Sequence, residues 1–189
     1  MTMNTLKEVY LAELQELHNV EEQLTQALPK MRDKAQHDEL KQAFDKHVEE
    51  TRFQRERVES ILRNHGADPQ AHRDQAMERL IAEAEKTVSM IDEPSLRDAE
   101  MIASAQKVEH YEIAAYGTVA AYAGILGFTD DQNTLHAILA QYAHSCKNDH
   151  TTRRWHSDAQ LFSRTETFRF LMVGVVLTPS VGMAWTLIA

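Results

Sequence analysis

Leu6, Tyr10, Leu14, Leu17, Leu24 and Leu28 recur at helical spacing along the first thirty residues. That period belongs to a helix that buries one face. Glu21 falls on the same stripe, between Leu17 and Leu24. Pro29 predicts a bend or an end near the last turn, because its ring displaces a preceding carbonyl and it lacks an N–H. A second helix is predicted from about Asp38, as N-cap, to about Asn64. Gly66 then serves as a left-handed cap, with Pro69 beyond. A shorter helix is expected over roughly 71–90, broken around Pro94. A long one follows over about 96–126 and ends before Gly127. "TDDQ" introduces a last helix, from about Asp130 to at least Tyr142. No alternating pattern supports a strand.

The first two long helices share a short link, which makes them antiparallel neighbours. The link to the third is long and holds its own short helix. This layout predicts an all-α fold, a four-helix bundle with one long crossover, the ferritin-like arrangement. Composition agrees: Gly (6) and Pro (4) are scarce in 189 residues. The net charge of −9 argues against a nucleic-acid partner, which needs clustered Lys and Arg. The single cysteine, Cys146, excludes an internal disulfide and fits a reducing compartment. The N-terminal stretch is charged and periodic, without an apolar signal region. The expectation is a cytoplasmic protein.

The chain is not uniform. Residues 1–141 hold 26 of the 29 acidic residues, whereas 142–189 are slightly basic and contain both tryptophans, Trp155 and Trp185. The predicted division is a helical bundle over 1–141, its last helix continuing to about 150, and an atypical tail over 142–189. The tail ends in "FLMVGVVLTPSVGMAWTLIA", residues 170–189, long enough to span a bilayer. Gly174, Pro179, Gly182 and the adjacent Arg169 weigh against a membrane span.

Candidate chemistry lies on the inner faces. In "QKVEHYEIAAYG", Glu109 and Glu112 are three apart and border the stripe of Ile102, Ala105, Val108, Ala115 and Val119. Gln106 and Tyr116 extend their line. In the second helix His47 and Glu50 are three apart, with Gln54 one turn further. With Glu21, three helices each bring a carboxylate to one bundle face, and one adds an imidazole. Carboxylates and imidazole at helical spacing inside a bundle are how di-iron and di-manganese sites are made. An i, i+3 Glu pair beside a histidine is equally the pattern of a solvated helix face, so spacing leaves both readings open. His110 lies about 100° round from Glu109, on another surface.

The segments "NVEEQLTQALPKM", "FDKHVEET" and "AQKVEHYEIAAYGT" resemble the YciE/YciF family of bacterial stress-associated ferritin-like proteins, over roughly residues 5–140. The resemblance implies a ferritin-like bundle, a homodimer, and a di-iron carboxylate centre with manganese as an alternative. It implies ferroxidase or peroxide-linked iron chemistry, with oxygen or hydrogen peroxide as oxidant. It carries over Glu21, Glu50, Glu109 and Glu112 as metal ligands and His47 as ligand or supporting donor, with no catalytic residue beyond them. The family continues in its last helix with two adjacent acids and an aspartate a turn later. An ungapped comparison places Ala140, Gln141 and Tyr142 near the acids and Cys146 near the aspartate. Loss of these ligands would impair a two-metal centre. His144, Asp149 and His150 are weak substitutes. An out-of-frame C-terminus would explain both this loss and the change of composition; a true lineage-specific tail, packed on the bundle or a partner, is the rival. The alternative functions are a metal-free helical dimerisation module and a variant tethered to a membrane by the tail.

Overall fold

The computed structural model describes the backbone of residues 2–148 and the side chains of 2–142. The expectations for Cys146, His144, Asp149, His150 and, beyond Tyr142, the rest of the 142–189 tail therefore lie outside the described side chains. Five helices follow in order: α1 (Leu6–Lys34), α2 (Asp38–Asn64), α3 (Gln75–Ser89), α4 (Pro94–Leu126) and α5 (Thr129–Asn148). No strand occurs among the described residues. The long helices α1, α2, α4 and α5 form a four-helix bundle, and α3 lies within the crossover from α2 to α4. No helix among the described residues is long and apolar enough to cross a membrane.

Local chemistry sets the helix ends. Thr5 and Glu8 form a reciprocal capping box at the start of α1. Pro29 does not end α1, which continues to Lys34. The buried Leu28 and Met31 carry the core stripe across it, so packing outweighs the break that proline alone would impose. His37, not Asp38, is the N-cap residue of α2. Gly66 closes that helix at φ 69°, and Ala67 N–H reaches back to the Leu62 carbonyl at 2.9 Å. Pro94 sits in the first turn of α4, where its missing N–H costs nothing, and Glu93 caps that helix. Gly127, at φ 75°, ends α4.

The core is the expected leucine stripe of α1 packed against Phe44, Val48, Val58 and Leu62 of α2, Met101, Val108, Val119 and Ala123 of α4, and Leu135 and Ile138 of α5. Two buried aspartates pin the connections. Asp98 of α4 is fully buried and accepts from Gln36 N–H at 2.9 and 3.2 Å and from His37 N–H at 2.9 Å. It clamps the α1–α2 turn. Asp74 caps α3 through Met77 N–H at 2.7 Å and accepts from the Tyr111 hydroxyl of α4. The Asp74 backbone bonds the side chains of Asn19 and Gln23 on α1. A third cluster joins α1, α2 and α5. Asp131 Oδ2 accepts from the Tyr10 hydroxyl at 3.0 Å and lies 2.7 Å from Nε2 of His65, whose ring packs against Phe128.

Removing Asp98 leaves two backbone donors without their acceptor. Asp98→Ala is expected to cost about 1–3 kcal/mol in urea unfolding. A loss below roughly 0.5 kcal/mol would show that water replaces the carboxylate and that the clamp is dispensable.

Candidate metal centre

Position along the stripe decides which acids enter the core. Glu21 occupies the slot between Leu17 and Leu24 on α1, and Glu112 the slot between Val108 and Tyr116 on α4. Both are fully buried, at 0% exposure. Tyr116, also fully buried, donates its hydroxyl to Glu21 Oε1 at 2.6 Å. Glu21 Oε2 and both oxygens of Glu112 have no hydrogen-bond partner. His47 of α2 brings Nε2 to 3.8 Å from Glu112 Oε2.

Desolvation dominates the electrostatics, because burying a carboxylate removes the water that stabilises its charge. Burial pushes the Glu21 carboxyl up from 4.5 to about 8, against the Tyr116 hydrogen bond and the Arg55 charge, which both lower it. Glu112 is raised well above the ordinary value, by burial first and by Glu21 second, with Glu109 adding a smaller push. The Tyr142 hydroxyl opposes that rise, although it is aimed at Gln54. Burial holds His47 below the usual imidazole range, with Glu50 pulling the other way. Near neutral pH, and without a cation, the pair therefore retains a proton beside a neutral imidazole.

The fourth wall is built of amides and a phenol. Tyr142 of α5 is 5% exposed and donates its hydroxyl to Gln54 Oε1 of α2 at 3.2 Å. Gln54 Nε2 donates to Gln141 Oε1 at 3.3 Å. The Tyr116 and Tyr142 rings lie 6.0 Å apart.

Of the five expected ligands, Glu21 and Glu112 share the buried core, and His47 stands 3.8 Å from Glu112. Glu50 lies at the bundle edge, 33% exposed, and pairs with Lys46 at 3.3 Å. Glu109 is half-buried, near enough to raise Glu112 and Tyr142. Among the described residues, no three His, Cys, Asp or Glu side chains converge as a formed metal cage. Gln106, expected on the same line, is exposed. Each i, i+3 step drifts about 60° round the helix, so two steps from Glu112 leave the buried face. His110 is exposed, on another surface as expected. Tyr142 had a readable signal, since it continues the stripe of Leu135 and Ile138.

The orphaned oxygens test the fit of a metal. Two hard carboxylate donors with unused lone pairs and a neutral imidazole suit a divalent cation completed by water. They suit one ion better than two, because α5 brings no carboxylate to this pair among its described side chains: Asp131 is taken by Tyr10 and His65.

The raised carboxyls fix the sign of a pH dependence. A folded-state value above the unfolded one stabilises the fold at low pH, and that stability is lost as pH rises from 4.5 to about 8. Urea unfolding of the metal-free chain is expected to show stability falling through this window. Glu21→Gln with Glu112→Gln should flatten the fall. An equal fall in the double variant would place its origin elsewhere, for His18 and His47, both held low by burial, change stability in the opposite sense.

The family model described as "Domain of unknown function (DUF892)" matches residues 5–146. Protein YciF of Escherichia coli strain K12 is 40% identical over 142 residues, covering 75% of this chain and 86% of that protein. The crystal structure of YciF, described as an E. coli stress protein, superposes with a TM-score of 0.72 at 37% identity, covering 76% of this chain and 91% of that one. YcfI of Rhodopseudomonas palustris, described as a candidate structural protein, gives the same score and identity over 75% of this chain and 90% of its own. With its buried carboxylate pair set in this bundle, the chain belongs to the DUF892 family, together with YciF.

Proposed function

We propose that the chain is a carboxylate metal-binding protein of the stress response, holding one divalent ion, iron in first place, between Glu21 and Glu112. The observation that carries this reading is the set of three buried carboxylate oxygens without a partner. A buried carboxylate needs a proton, a cation or several donors, and this pair lacks the donors. His47 serves as the nitrogen donor or as hydrogen-bond partner to Glu112, and Glu50 and Glu109 form an outer acidic ring. The stress role rests on the description of YciF and on the family resemblance.

Bound iron would supply one-electron chemistry toward oxygen or hydrogen peroxide. The protein's own residues neutralise, orient and enclose. Glu21 and Glu112 supply the charge that offsets a cation. Tyr116 fixes the rotation of the Glu21 carboxylate through Oε1 and leaves Oε2 turned free. Gln54 and Tyr142 close the site on the α2–α5 side. An apolar cavity of about 40 Å³, bounded by Leu24, Leu28, Phe44, Ile81 and Val108, reaches His47 and suits a small apolar oxidant. With no α5 carboxylate at the pair among the described side chains, iron oxidation would be slower than at a complete two-metal centre. The family resemblance supports a homodimer as the working form.

A second reading is a metal-free helical module. It is favoured by the absence of a converged cluster among the described residues and by burial, which keeps the pair protonated. The description of YcfI as structural agrees with it.

Anaerobic titration with Fe(II), followed by elemental analysis after desalting, separates the two. The expected result is about one iron per chain, lost in Glu21→Gln with Glu112→Gln. Admitting oxygen should then give Fe(III) in the wild type above the rate of free iron. No retained metal would leave the metal-free module, and equal retention in the double variant would overturn Glu21 and Glu112 as the site.

A further inference from the structure

Two carboxylates balance a divalent ion, and a buried site tolerates little excess charge of either sign. A third anionic donor would shift that balance toward a trivalent ion. On α5 the side chain beside the pair is Tyr142, 5% exposed, near the place where the resemblance expects acids. Its hydroxyl is held by one bond, to the neutral Gln54 amide at 3.2 Å, and its ring lies 6.0 Å from that of Tyr116, which bonds Glu21. Tyr116 is differently employed. Its hydroxyl is committed to Glu21 Oε1 at 2.6 Å, and there it positions the carboxylate.

We propose that Tyr142 is the ligand contributed by the last helix, and that with Glu21 and Glu112 it makes this a site selective for trivalent iron. The inference rests on the metal-binding reading above and adds that the site, loaded with a divalent ion, holds iron most tightly once it is ferric. Phenolate is a hard anionic oxygen, suited to a small, highly charged cation. Its charge, added to those of two carboxylates, balances ferric iron without a residual buried charge. On ligation the Tyr142 O–H bond breaks, its proton leaves to solvent, and an oxygen–metal bond forms. No electron is transferred. Gln54, tied to Gln141, stays in place to receive the displaced hydrogen bond from water. A phenol in place of an acid thus alters the metal preference instead of emptying the fourth wall. The oxidised ion is retained where a carboxylate-only site would favour exchange.

The test uses the full chain and ferric nitrilotriacetate. After desalting, iron should remain bound and the visible spectrum should show an intense phenolate-to-iron charge-transfer band. Tyr142→Phe should abolish the band and weaken ferric binding about tenfold or more, while changing Zn(II) binding by less than about threefold. Tyr116→Phe should keep the band. Circular dichroism and thermal unfolding check that both variants fold. Resonance Raman of the wild type supplies a readout independent of any variant, through ring modes of a ligated tyrosine. Bound iron without a charge-transfer band, or a band that survives Tyr142→Phe, overturns the role of Tyr142 and leaves the metal site standing. Failure to bind either Fe(III) or Zn(II) removes both.

Discussion

Two fully buried carboxyl groups face each other across α1 and α4, and no cationic side chain bonds either of them. Ionised, each would cost several kcal/mol of lost hydration, and their mutual repulsion would add to it. Arg55 eases Glu21 only as the weakest of three influences. The bundle therefore has two ways to remain folded: the pair keeps a proton, or it takes a cation. The two would compete for the same oxygens, so acid would favour the protonated pair and higher pH a cation. The neutral His47, the Tyr116 bond and the phenol of Tyr142 are all placed around that choice.

The other buried acids of the fold show what a structural carboxylate looks like. Asp98 is as buried as Glu112, yet its oxygens accept three backbone bonds that clamp the α1–α2 turn. Asp74 caps α3 and takes the Tyr111 hydroxyl. Asp131, part-buried, takes Tyr10 and His65. Each joins elements that the chain must hold together. Glu21 and Glu112 join little: one bond from Tyr116 against three oxygens left unused. Burial alone does not separate the two kinds of acid. The satisfaction of their oxygens does.

Much of the fold was legible in the chain. The leucine stripe of α1, the Gly66 and Gly127 stops and the long link before α4 follow from periodicity and turn chemistry. Pro29 misled because intrinsic propensity was weighed without the packing of Leu28 and Met31. At the site, Glu21 and Glu112 were visible as acids within apolar stripes. Glu50 and Glu109 share their helical spacing but sit where the helix surface turns outward, a difference of tens of degrees that residue spacing does not resolve. The Tyr10–Asp131–His65 cluster could not be read at all. Its members are separated by up to 121 residues and meet only through tertiary packing. Tyr142 stands near the place where the resemblance expects acids, and its bond to Gln54 of α2 depends on tertiary packing that residue spacing does not give.

The central claim is that this carboxylate pair exists to hold a metal. Anomalous diffraction at the iron edge, from crystals of the full chain grown with ferrous iron, locates the ion without reference to activity. A single strong peak between the Glu21 and Glu112 carboxylates is the expected result. Iron at surface acids alone, with the pair still hydrogen-bonded to Tyr116 and otherwise bare, would contradict the claim and leave a protonated pair buried for packing.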